Sequence, residues 1–71
     1  MTIRDLLSCC MAAEIIVDTV ENIKYYSMDG GNTFRKSIFL DNGKNAINEI
    51  LDHNVIKFIP TSEYRINIYA D

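Results

Sequence analysis

The chain has no tryptophan, one histidine, one proline, three glycines, and two cysteines that sit side by side at Cys9 and Cys10. Each scarcity removes a class of chemistry. With a single histidine, any Ser-His-Asp or Cys-His nucleophilic machinery would have to run through His53. Glu49 and His53 are four apart, the spacing of a helical metal site, with Asp52 beside them. Such a site needs three or four ligands, and neither a second histidine nor a cysteine pairs with them in sequence, so they read as a solvated helix face. Adjacent cysteines cannot staple distant parts of a chain. A vicinal disulfide acting as a redox switch is one reading of Cys9 and Cys10. The preferred one makes Cys10 a small apolar side chain on a core stripe, with Cys9 its neighbour.

Glycine-rich phosphate loops are missing as well. Asp29-Gly30-Gly31-Asn32 lacks the lysine and the following helix start of a phosphate loop, and the spaced oxygen ligands of a calcium loop. It reads as a hairpin turn, where glycine supplies positive φ. No apolar run approaches the roughly 18 residues a membrane-spanning helix needs. Leu6-Leu7-Ser8-Cys9 imitates a lipoprotein cleavage site, but only eight residues precede Cys9, and Arg4 and Asp5 interrupt them. A cytoplasmic protein with no membrane partner is the expectation. Ten acidic against seven basic residues leave a net charge of -3, which argues against duplex DNA and anionic membranes.

What remains is ordinary globular composition over 71 residues, 48% hydrophobic and 24% charged, so a single domain over residues 1–71 is expected. Ile3, Leu6, Leu7, Cys10 and Met11 recur at helical spacing behind Thr2, a cap residue that Asp5 can answer. Ala13 to Val20 turns β-branched and apolar at both parities, as in a central strand covered on both faces. Glu21-Asn22 is a turn, Ile23 to Met28 a second strand, and Thr33 to Leu40 a third with the edge character that Lys36 confers. Ala46, Ile47, Ile50 and Leu51 make the apolar stripe of a second helix. Val55 to Ile59 is a fourth strand closed by Pro60, and Tyr64 to Ala70 a fifth with Tyr64, Ile66, Ile68 and Ala70 on one face. The order α-β-β-β-α-β-β predicts a two-layer α+β domain, a mainly antiparallel sheet of five strands with both helices on one face.

Parity then assigns the uncovered face. If Ile66 and Ile68 point to the helices, Arg65, Asn67 and Tyr69 point away. Placing Lys57 in solvent takes Val55 and Ile59 outward with it, placing Arg35 in solvent takes Phe39, and one of Tyr25 and Tyr26 must follow. The expected interaction surface is therefore Tyr69, Phe39, Arg65, Val55, Ile59, Lys57 and Arg35. Aromatics and arginine of this kind favour a contact with another protein or a second copy of the chain, as in a homodimer. The same interleaving admits single-stranded nucleic acid, with bases stacked on the tyrosines, although the net charge and the lack of a glycine-aromatic signature oppose it. The plain alternative is a monomer with scattered half-exposed side chains. No catalytic residue, metal site or cofactor is assigned, and the chain reads as non-enzymatic.

Three stretches carry a resemblance. Thr2-Ile3-Arg4-Asp5-Leu6-Leu7 with Ala13-Glu14-Ile15-Ile16-Val17-Asp18, and the closing Ile66-Asn67-Ile68-Tyr69, resemble short proteins of phage and mobile-element regions in gut Firmicutes. The match spans both ends and departs from that pattern between Tyr25 and Leu40. It implies a bacterial cytoplasmic protein and carries no activity or site residue with it.

Overall fold

The structure, a computed structural model, describes residues 1–36 and 48–71. Helix α1 covers Ile3–Leu7 and opens on a reciprocal cap: the Asp5 amide donates to Thr2 Oγ1 at 3.2 Å and the Thr2 amide to Asp5 Oδ2 at 3.1 Å. It is shorter than its apolar pattern predicts. Ser8 Oγ donates to the Asp5 carbonyl at 2.7 Å, and the amides of Cys9 and Cys10 both turn back to Leu6 O at 3.1 Å, ending the helix. Ile3 and Leu6 are buried, Leu7 and Cys10 pack against the core, and Met11 stands 99% exposed.

Strand β1 (Glu14–Thr19) alternates strictly, with Ile15, Val17 and Thr19 buried. It turns through Asn22, at φ 64°, into β2 (Lys24–Ser27), and Thr19 Oγ1 ties that turn by exchanging bonds with Ile23. The Asp29–Thr33 stretch is the predicted turn. Gly30 and Gly31 have φ of 76° and 95°, and Asp29 Oδ1 accepts from Ser27 Oγ and the Thr33 amide, each at 2.9 Å. Burial disfavours the Asp29 carboxylate, but these hydrogen bonds outweigh it and hold its pKa below the ordinary range. Arg35 then pairs with Tyr26 in an antiparallel bridge, the described part of the predicted third strand. Phe39 lies outside the described residues, as do Ala46 and Ile47 of the predicted second helix. The rest of that helix is a 3-10 helix, Asn48–Asp52, that buries Ile50 and rests Leu51 on the core.

Strands β3 (Val55–Pro60) and β4 (Arg65–Ala70) form the last hairpin. The four-stranded sheet runs in the order β2-β1-β4-β3. Both outer pairs are antiparallel, but β1 and β4 are parallel. The sheet is thus mixed and four-stranded, with one α-helix and a 3-10 helix among the described residues, where the sequence pattern predicts five mainly antiparallel strands and two helices. The centre goes to the two strands with the cleanest apolar alternation, and the shorter β2 and the Lys- and Pro-bearing β3 take the edges. One core gathers Ile3, Leu6, Ile15, Val17, Phe34, Ile50, Ile66, Ile68 and Ala70 on one side of the sheet. Both helical elements lie on that side, held at the domain's end by Ile3 N–H to His53 O at 3.0 Å and Val55 N–H to Met1 O at 2.8 Å.

Two side chains depart from the expected parity. Tyr64 precedes β4 and is 66% exposed; its carbonyl accepts from the Glu14 amide, so it serves the parallel pairing through its backbone. Val55 packs against the core instead of joining the open face. The register between β3 and β4 slips between Val55 and Lys57, and this one extra residue reverses the parity of everything before Lys57.

Candidate functional site

Among the described residues, no helix covers the sheet face opposite the core, and the strand registers align three rows on it. Glu14 on β1 lies beside Arg65 on β4. The middle row runs Arg35, Tyr26, Ile16, Asn67, Ile59, and the next runs Lys24, Asp18, Tyr69, Lys57. Of the seven residues expected here, Tyr69, Arg65, Ile59, Lys57 and Arg35 fall on this face. Val55 does not, and Phe39 is not described. Tyr26 is the outward member of the tyrosine pair, and Tyr25 packs on the core.

Most of the charge is matched within the face. Arg65 reaches Glu14 Oε2 through Nη2 at 2.6 Å and Nε at 2.8 Å, and Lys24 Nζ is 3.8 Å from Asp18. Lys57 Nζ stands 5.8 Å from the centre of the Tyr69 ring. Between these groups lies a hollow of about 190 Å³ lined by Asp18, Lys57, Ile59, Asn67 and Tyr69. Asn67 Oδ1 is buried with no hydrogen-bond partner among the described residues, a costly arrangement for an amide on a central strand. Parity alone places Asn67 on this face without assigning it a role. Its environment depends on the parallel β1–β4 register, which no local pattern encodes.

The other candidates resolve differently. Cys9 and Cys10 are both free thiols, Cys9 exposed and Cys10 half-buried. His53 Nδ1 lies 2.8 Å from the Asp71 carbonyl, while the Asp71 carboxylate accepts from the Asn54 amide at 3.0 Å, so His53 serves as a clasp between chain segments. Among the described residues, no three His, Cys, Asp or Glu side chains group as metal ligands, and no helix is long and apolar enough to cross a membrane. A second, more apolar groove of about 540 Å³ runs between Leu7, Cys10, Met11, Gly30 and Tyr64 at one end of the sheet. No family model, curated protein or solved structure matches the chain, so its own surface is the guide to function.

Proposed function

We propose that this chain is a small non-enzymatic binding module that makes protein–protein contacts through the open sheet face, with a second copy of itself among its partners. The observation that carries the reading is the hollow at Asn67. It combines an unsatisfied buried acceptor, an exposed isoleucine and an aromatic ring beneath an ammonium group. A partner that buries Ile59 and meets the Asn67 amide as it turns Oδ1 into the hollow offsets both costs at once. Single-stranded nucleic acid is the second reading, favoured by Tyr26 and Tyr69 beside Arg35 and Lys57. It is weakened because Arg65 and Lys24 already face carboxylates. The resemblance at both ends of the chain supports a bacterial cytoplasmic setting.

Light scattering across a concentration series tests the reading. Mass should rise with concentration and fall back in Tyr69→Ala, which removes the ring under Lys57. A rise that Tyr69→Ala leaves unchanged would remove the open face from the contact. Salt-sensitive anisotropy of a short labelled single strand would favour nucleic acid instead.

A further inference from the structure

The edge of β3 adds to this reading a specific partner and a specific geometry. Thr61 N–H donates to Arg65 O at 3.0 Å, and the antiparallel register is unbroken from Lys57 to Pro60. Ladder bonds alternate along an antiparallel pair, so Lys57 and Ile59 direct their backbone groups to β4, while Phe58 and Pro60 direct theirs away from the sheet. Among the described residues, no strand lies beyond β3 in the sheet. Pro60 has no N–H, which leaves Phe58 as the residue of this stretch with both a free donor and a free acceptor on the outer edge.

The side chains around that edge are apolar on both faces of the sheet. Ile56, Phe58 and Ile59 are 53%, 42% and 56% exposed. The one charge in the strand, Lys57, is drawn back over Tyr69 on the neighbouring strand, so it guards the edge poorly.

We infer that two copies of the chain pair β3 to β3 across a two-fold axis through Phe58, antiparallel, making one continuous eight-stranded sheet. This inference rests on the protein-contact reading and names the partner as a second copy. A pairing centred on Phe58 is self-complementary: each Phe58 N–H meets the other copy's Phe58 carbonyl. Lys57 falls opposite the partner's Ile59, so its methylene stem covers an apolar side chain and the two ammonium groups avoid each other. Centring the axis on Lys57 would set like charges face to face. Pro60, which cannot donate, falls opposite the partner's Ile56 and ends the ladder, which keeps the contact short and two-fold.

Sedimentation of the full chain from micromolar to millimolar concentration tests this, with a charge pair chosen for the register. The wild type should approach twice 8.1 kDa. Ile59→Lys sets two like-charge pairs across the axis and should weaken the dimer about tenfold, whereas Ile59→Glu faces Lys57 and should preserve or tighten it. Phe58→Cys, with Cys9→Ser and Cys10→Ser, should be captured as a dimer by a short bis-maleimide linker, which adds one thiol at each end, because paired α-carbons at that position lie about 5.5 Å apart. Val20→Cys in the same background should not. A wild type that stays monomeric throughout, or Ile59→Glu as disruptive as Ile59→Lys, overturns the edge pairing. If Ile59→Glu is as disruptive as Ile59→Lys and the mass also falls in Tyr69→Ala, the contact lies on the open face and that reading stands without the edge. If Tyr69→Ala leaves the mass doubled while the charge pair behaves as expected, the edge stands and the open face falls.

Discussion

At the scale of single residues, the most telling positions are those where a side chain, or its lack, meets a constraint that composition cannot express. Gly31 is one. Its φ of 95° is the left-handed region, and a Cβ there would come within 2.9 Å of Leu7 Cδ1 and 3.3 Å of Ile15 Cδ1. Gly31→Ala is therefore strained in both backbone and packing, and should destabilise the fold by more than about 1 kcal/mol in urea unfolding. Asn67 is the opposite case. Replacing it with valine removes a buried acceptor that has no partner among the described residues and adds a β-favouring side chain. Asn67→Val should raise stability by about 1 kcal/mol while weakening association. Equal or lower stability in the same urea series would mean that the amide is satisfied in solution. The glycine turn was readable from Asp29 to Asn32, because turn chemistry is local. The cost at Asn67 was not, because it arises from neighbours on strands distant in sequence.

At the scale of elements, local signals were readable and long-range ones were not. The Thr2–Asp5 cap, the turn at Asn22, and the alternation of β1 and β4 are each written in a few consecutive residues. Helix α1 ends before its apolar spacing does: Cys10 and Met11 keep the helical period, but Ser8 turns the chain out first. The extra residue between Val55 and Lys57 was invisible for a related reason: it is a property of the pairing, not of either strand. Two carboxylates make the elements pH-sensitive in a definite direction. The Thr2 amide and hydroxyl hold Asp5 below the ordinary carboxylate range, and hydrogen bonds from Thr33 and Ser27 overcome burial to do the same for Asp29. A carboxylate depressed in the folded state stabilises it above its unfolded pKa of about 4, and that contribution is lost as pH falls through the depressed value. Urea midpoints should accordingly fall with acidification below that range. Asp29→Asn should flatten the fall, and an unchanged slope would show that the turn contributes nothing to it.

At the scale of the whole molecule, the α+β arrangement follows from hairpin spacing and parity, but the parallel contact of β1 with β4 does not. Hairpin-length turns suggest antiparallel neighbours throughout; only the long connection from Ser27 to Val55 allows the second hairpin to lie beside the first with β4 innermost. A domain of 71 residues draws only a few kcal/mol from a single core, roughly 3–5 on general grounds, so a second buried surface matters to it. Dimerisation ties stability to concentration. The thermal midpoint of the wild type should rise with protein concentration and that of Ile59→Lys should rise less. A midpoint that does not move in the wild type would contradict a stabilising self-contact.

The placement of the contact is read most directly from the concentration dependence of backbone amide shifts by NMR. Shifts should move together at Lys57, Phe58, Ile59 and Tyr69 and stay fixed in α1. Shifts that stay constant across the chain, or that move chiefly at Met11, Gly30 and Tyr64, would contradict a contact built on the β3 edge and the open face beside it.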